Sequence, residues 1–401
     1  MKKLIALLLA CVMVLGLVAC GGNAPETTAP AGGESTPETT APAGGESTPE
    51  TTAPAVSEVA YKVAMITDYG DITDQSFNQT TYEAVKAFGE ANGIEYAYYR
   101  PQGDSDAERV GMIDAAIADG FNVIVLPGYA FGNAIKETAP IYPDVLFFAL
   151  DVSATDFGDW EIPANVYSAV YQEELSGYMA GYAAVKLGYK HLGYLGGMAV
   201  PAVMRFGYGY LQGIEAAAAE LGITGEITVE YVYGNQFFGD ADITAYMDTW
   251  YGEKGVEIVF ACGGGIWSSA AEAAAKVGGK VIGVDVDQKA IIDGTYGEGM
   301  TVTSAMKGLY PTTVDTLTDV VLNGNWATYG GKIATLGLVS ADPEVNYVQI
   351  PMGSTQFAEG FTAEDYKALV AGMFDGTITV SNDISAMPAV TYTVNEYGNI
   401  K

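Results

Sequence analysis

Val145-Leu146-Phe147-Phe148-Ala149-Leu150-Asp151 is an apolar run that ends in an acidic residue, and Val281-Ile282-Gly283-Val284-Asp285 ends the same way about 130 residues later. Runs this short and this apolar read as buried strands, each with an aspartate at the turn that leaves it. From Tyr61 onward such runs alternate with amphipathic stretches, the pattern of βαβ units on a parallel sheet. The first set of candidate strands is Val63 to Thr67, Glu95 to Tyr99, Val123 to Leu126 and Val145 to Leu150. The second is Leu192 to Leu195, Ile227 to Tyr233, Ile258 to Ala261 and Val281 to Val284. Landmarks repeat with the strands: Phe77 with Phe206, Gly103-Asp104-Ser105-Asp106 with Gly239-Asp240-Ala241-Asp242, Gly120 with Gly255, Asp151 with Asp285. The expected fold is α/β, two similar Rossmann-like lobes joined by a hinge with a cleft between them.

Ligands of open parallel sheets bind beyond the carboxyl ends of the strands. The candidate binding residues are therefore those just past them: Asp68 and the loop to Asn78, with Asp74, Ser76, Phe77 and Asn78, then Gly128 and Tyr129, Asp151, Gly196 to Phe206, Gly263 to Trp267 with Gly264 among them, and Asp285. Val302 to Lys307 reads as a crossover strand that carries Lys307 to the hinge. Ser76 is the expected N-cap of the helix that follows, with Gln79 completing a capping box. Ionised carboxylates only accept hydrogen bonds, so a cleft rich in aspartate suits a neutral or cationic ligand bearing hydroxyls or ring N–H groups. The aromatic residues near the mouths, Tyr69, Phe77, Tyr82, Tyr129, Phe206 and Trp267, offer flat faces whose stacking on a base contributes about 1–3 kcal/mol. Each also has a purely structural reading: aspartate as turn former, aromatic ring as core, Arg205 and Lys307 as partners of the aspartates. The Gly263-Gly264-Gly265 loop lacks the Gly-Lys-Ser/Thr ending of a phosphate-binding loop.

The 401 residues are 49% hydrophobic, enough for two packed units. Against 49 Asp plus Glu stand 18 Lys plus Arg, a formal charge of -31, which repels phosphate backbones and excludes nucleic acid as a partner. His191 is the single histidine, so a His-ligated metal site or a Ser/His/Asp relay has no raw material. No catalytic residue, cofactor or metal is expected.

The N-terminus carries Met1-Lys2-Lys3, an apolar run from Leu4 to Val18, then Ala19-Cys20. That is an export signal over residues 1–19, too short for the roughly 20 apolar residues a spanning helix needs. Leu17-Val18-Ala19-Cys20-Gly21 resembles a bacterial lipobox, which implies acylation of Cys20. With Cys11 in the signal and Cys20 lipidated, Cys262 is left alone and no intrachain disulfide forms. Residues 21–60, which from Pro25 to Ala55 repeat Pro-Glu-Thr-Thr-Ala-Pro-Ala-Gly-Gly-Glu-Ser-Thr, read as a disordered tether, spanning about 35 Å.

Four dispersed motifs now combine: Thr67-Asp68 with Asp74-Gln75-Ser76-Phe77-Asn78; Gly196-Gly197-Met198 with Arg205-Phe206; Gly283-Val284-Asp285; and Thr303-Ser304-Ala305-Met306-Lys307. In this order the chain from Tyr61 to about Leu338 resembles the BMP/PnrA-like family of basic membrane lipoproteins. The resemblance implies a type I periplasmic-binding fold and a substrate-binding lipoprotein of an ABC transporter, with purine nucleosides as ligand and an ABC permease as partner. It further implies that Asp74 and Asn78 hold base or ribose, with Tyr82 at the family's aromatic position one turn later, that Asp151 meets the purine edge, and that Asp285 and Lys307 meet the ribose hydroxyls. Trp267 departs from the small residues usual in that loop. The expected organisation is residues 61–166 with about 304–345 in lobe 1 and 167–303 in lobe 2. The segment 346–401, with a helix over Ala363 to Met373 and a strand over Thr377 to Val380, is left unassigned. A monomer, lipid-anchored on the extracytoplasmic face of the cell membrane, is expected. A sugar-binding protein of the same fold is the second reading. A secreted nucleoside-processing enzyme and an adhesive surface protein follow.

Overall fold

The computed structural model describes residues 60–401. The export signal, Cys20 and the repeat tether fall before these, outside the described residues. The strands are β1 (Val63–Ile66), β2 (Tyr96–Tyr99), β3 (Val123–Pro127), β4 (Leu146–Leu150) and β5 (Val166–Tyr171); β6 (His191–Gly196), β7 (Thr228–Tyr233), β8 (Ile258–Cys262), β9 (Lys280–Asp285) and β10 (Thr301–Lys307); then β11 (Lys332–Leu336), β12 (Val348–Gln349) and β13 (Thr393–Asn399). They form two sheets, ordered β11-β5-β4-β3-β1-β2 and β12-β10-β9-β8-β6-β7-β13. The five leading strands of each half follow the same doubly wound order, second, first, third, fourth, fifth, so the sequence duplication is also a duplication of topology. Pairing is parallel throughout except for β12, which runs antiparallel to β10. Strands such as β3, buried at every position, are continuous apolar runs because helices cover both faces.

The sheets redraw the expected boundaries. β5 pairs with β4, so the first sheet continues through Tyr171 and does not stop at 166. β10 pairs with β9, so Thr301–Lys307 belongs to the second sheet and is not a crossover strand. The chain returns to the first sheet only at β11. A repeat that aligns on four strands gives no address to a fifth.

The segment after residue 346 joins the second sheet. The helix Ala363–Phe374 starts with a capping box between Thr362 and Asp365, and buries Tyr366, Leu369, Val370 and Met373 in the core shared with the helices Glu173–Lys186 and Pro201–Leu221. The chain then crosses the Pro201–Leu221 helix, held by Ser381 on Gln212, Thr391 on Glu215 and the Tyr392 hydroxyl on the Leu211 carbonyl, and ends as β13 alongside β7. The strand expected at Thr377 to Val380 does not form: Ile378 N–H bonds back to the Gly372 carbonyl, and Ile378 and Val380 pack against the core with no neighbouring strand.

Two helices of the second half approach to backbone contact. A Cβ on Gly177 would lie 2.2 Å from the Phe206 carbonyl oxygen, and one on Gly209 would lie 2.0 Å from that of Glu174. Only glycine admits this approach, and it sets the start of each helix, with Glu173 and Arg205, side by side beneath the cleft.

Candidate ligand-binding site

Asp151 follows β4 and Asp285 ends β9, and both adopt left-handed backbone geometry, φ 61° and 66°. Such a conformation costs an L residue about 1–2 kcal/mol, least for Asp and Asn. Paying it at the same place in both halves turns the two carboxylates toward one point. Lys307, the last residue of β10, stands there: its Nζ hydrogen-bonds Asp151 Oδ2 and lies 3.6 Å from Asp285 and 3.7 Å from Glu173. Burial opposes the charge on Lys307, and Asp151, Asp285 and Glu173 more than offset it, holding its pKa above the usual lysine range. Glu173, fully buried, also accepts from Arg205 Nε at 2.6 Å. Two cations thus hold three buried acids in one ladder.

The loop from Thr67 to Asn78 is organised by Asp74. Its carboxylate accepts from the backbone N–H groups of Ser76, Asn78 and Gln79 at 2.9–3.0 Å and from Asn78 Nδ2 at 3.1 Å, and so caps the helix Phe77–Asn92. Burial pushes Asp74 up to about 6 in spite of these donors. The expected cap by Ser76 is therefore wrong: its side chain makes no capping bond, because its hydroxyl instead donates across the cleft to Asp285 Oδ2 at 2.6 Å. Gln79 Oε1 accepts from Gln75 N–H. A second cross-cleft bond runs from Gln288 Nε2 to the Gln75 carbonyl at 3.1 Å, and Tyr129 reaches Met198 Sδ at 3.5 Å.

Between the sheets lies a cleft of about 490 Å³. Of the expected residues, Asp68, Asp74, Phe77, Asn78, Gly128, Tyr129, Asp151, Phe206, Gly264, Asp285 and Lys307 line it. Ser76, Tyr82 and Trp267 do not. Ser76 is buried behind the wall, on Asp285. Tyr82 packs edge-on against Tyr98, with ring centres 5.2 Å apart. Trp267 is the first residue of a helix whose apolar stripe covers the sheet, and its ring is drawn into that core against Tyr296.

The expected Gly196 to Phe206 stretch lines the cleft with Val200–Val203 and Phe206, whereas the sequence reading missed Phe237, Phe238 and Arg100 in the lining, and Glu173 below it. A signal for the first three was present: Arg100 and Phe237-Phe238 precede the duplicated Gly-Asp-x-Asp motif in each half, on the loop after the second strand. Phe237 approaches Tyr129 from the opposite wall, ring centres 6.4 Å apart. Glu173 carried no signal, since an acid in the first turn of a helix ordinarily faces water.

Several acceptors remain uncommitted. Asn78 Oδ1 and Asp151 Oδ1 are buried without a partner. Asp68 takes three N–H donors on Oδ1, from Tyr69, Gly70 and Asn78, and none among the described residues on Oδ2. The cleft can therefore hold a donor-rich polar edge between aromatic faces. Cys262 also lines it, but burial pushes its thiol well up, which keeps it protonated and unreactive.

Two doubly wound lobes facing each other across an aromatic and carboxylate-lined cleft are the architecture of the periplasmic-binding fold. The chain belongs to the Bmp family, described as "ABC transporter substrate-binding protein PnrA-like", which it matches over residues 61–350. It is 28% identical to the "ABC transporter nucleoside-binding protein BmpA" of Lactococcus lactis, over 57% of this chain and 64% of that protein, so it spans just under two thirds of that relative's length. It is 28% identical to "Basic membrane protein B" of Borreliella burgdorferi over 69% of this chain and 78% of that protein. Among solved structures, an ABC transporter solute-binding protein from Aeropyrum pernix superposes with a TM-score of 0.61 at 22% identity, covering 80% of this chain and 87% of that one, a likeness of fold.

Proposed function

We propose that this protein captures a nucleoside, in first place a purine nucleoside, outside the cytoplasmic membrane and delivers it to an ABC import permease, tethered by lipid on Cys20. The observation that carries this reading is the pairing of uncommitted acceptors with aromatic walls in one cleft of about 490 Å³. Asp151 and Asp285, with Lys307 between them, suit vicinal hydroxyls, which both donate and accept. Asn78 Oδ1 and Asp68 suit ring or exocyclic N–H groups, and Phe77, Phe206, Tyr129 and Phe237 suit the faces of a flat ring. The name of the Lactococcus relative, a nucleoside-binding protein, supports the same class of ligand. Cross-cleft bonds such as Ser76 to Asp285 support capture by closure of one lobe on the other. Binding without chemistry is the reading for the acids: Asp151 and Asp285 are committed to Lys307 and Asp74 to helix capping, and the one histidine lies away from the cleft, on Glu230.

No helix among the described residues is long and apolar enough to cross a membrane. In this reading lipid attachment at Cys20 supplies the membrane association, and metabolic labelling with a palmitate analogue, lost in Cys20→Ala, tests it. Calorimetric titration of guanosine, inosine, adenosine and a panel of hexoses tests the ligand: saturation by a purine nucleoside is expected, and heat from a hexose alone would transfer the site to sugars.

A further inference from the structure

The acidic lining leaves both a neutral and a cationic ligand open, and the arrangement of charges favours one of them. Five carboxylates line the cleft, those of Asp68, Asp71, Asp74, Asp151 and Asp285, against two cations, Arg100 and Lys307. Both cations are committed. Arg100 is bonded to Asp71 at the mouth, and Lys307 is shared among Asp151, Asp285 and Glu173. Asp74 is enclosed by N–H donors, but Asp68 pairs with no cation among the described residues and keeps one oxygen free beside Gly128. The aromatic rings Tyr69 and Tyr129 stand next to it, and the field of Asp68 is one of the causes, after burial, that hold both phenols protonated. Behind Tyr129 the same wall continues into a hollow with three further carboxylates, Asp104, Asp106 and Asp156, against the single guanidinium of Arg109. The first lobe therefore presents an unneutralised acidic and aromatic wall.

We propose that the cleft selects positively charged ring systems, so that a nucleoside bearing a cationic base, of the N7-alkylpurine type, binds better than its neutral counterpart. The proposal rests on the nucleoside reading and sharpens it. A flat cation stacked on Tyr129 or Phe237 gains from the face of that ring and from the free carboxylate of Asp68. A neutral base of the same shape leaves that charge uncompensated, and a phosphorylated ligand meets it with like charge.

The test is calorimetry on the whole protein with N7-methylguanosine and its uncharged isostere 7-methyl-7-deazaguanosine, at low and high salt, with guanosine and a hexose alongside. The cationic member is expected to bind about tenfold more tightly at low salt, with a ratio that shrinks as salt screens it. In Asp68→Asn, which keeps the carbonyl acceptor for Tyr69 and Gly70, the ratio is expected to fall toward one. Equal affinity for the two isosteres, or a preference unmoved by both salt and Asp68→Asn, overturns the charge selection while leaving a nucleoside receptor in place. Binding of the hexose with no heat from any nucleoside overturns both.

Discussion

Asp285 joins the two halves of the molecule through one carboxylate, accepting the Ser76 hydroxyl from the first lobe while sitting 3.6 Å from Lys307 of the second. Replacing it by alanine strands a buried donor, and the expected loss of nucleoside affinity is about 2–5 kcal/mol, read by calorimetry. Asp285→Asn keeps a residue that tolerates the left-handed backbone, so it should fold as well as the wild type and lose less; an alanine variant with full affinity would remove Asp285 from the site. Lys307 poses the opposite case, for it is the shared counter-charge of three buried acids. Lys307→Met leaves Asp151 and Asp285 without their cation, while Glu173 keeps Arg205, and is expected to lower stability by about 3–5 kcal/mol in chemical denaturation, whatever it does to ligand binding. A drop below about 1 kcal/mol would mean that the acids neutralise themselves by protonation.

The two helices Glu173–Lys186 and Pro201–Leu221 show how an element can depend on what it lacks. In an isolated helix Gly209→Ala is stabilising by up to about 1 kcal/mol. Here the added carbon would lie 2.0 Å from the Glu174 carbonyl, so the sign is expected to reverse, with a loss of about 1–3 kcal/mol and displacement of Arg205 and Phe206 from the cleft floor. Thermal melts of Gly209→Ala beside Gly225→Ala, where nothing surrounds the new carbon, check this directly.

For the molecule as a whole, burial pushes Glu174 up to about 7 and Asp74 up to about 6. Groups whose folded values lie above the unfolded ones bind protons more tightly in the native state. Stability is therefore expected to rise as pH falls from about 7 toward the ordinary carboxylate range, and to lie at its lower plateau above that. Relief of self-repulsion in a chain of charge -31 acts in the same direction. Glu174→Gln separates the two effects: it should remove on the order of 1–3 kcal/mol of the pH dependence and leave the remainder. Lobe closure belongs to this scale as well. Ser76→Ala with Gln288→Ala deletes both cross-cleft side-chain bonds made around Gln75 and Ser76, and small-angle scattering of the unliganded variant should show a larger radius of gyration than the wild type. An unchanged radius would assign closure to the Lys307–Asp151 contact instead.

The eight strands of the repeat, the doubled lobe and the paired aspartates were legible in the sequence, because buried parallel strands write themselves as continuous apolar runs and a duplicated gene repeats its punctuation. Eleven of the fourteen expected binding residues line one cleft for the same reason, since loops after parallel strands have only one end of the sheet to occupy. What only the tertiary structure decided was partnership. Ser76 read locally as a helix cap and became a bridge to Asp285, while Trp267 and Tyr82 read as stacking faces and became core. Glu173, which carried no signal in the sequence, became the buried partner of Lys307 and Arg205. β5, β10 and the closing strand β13 found their sheets only by pairing with strands distant in the chain. Local sequence fixes which conformations a segment can adopt. Which side chain meets which, across two hundred residues, depends on the free energy of burial, and that is a property of the folded whole.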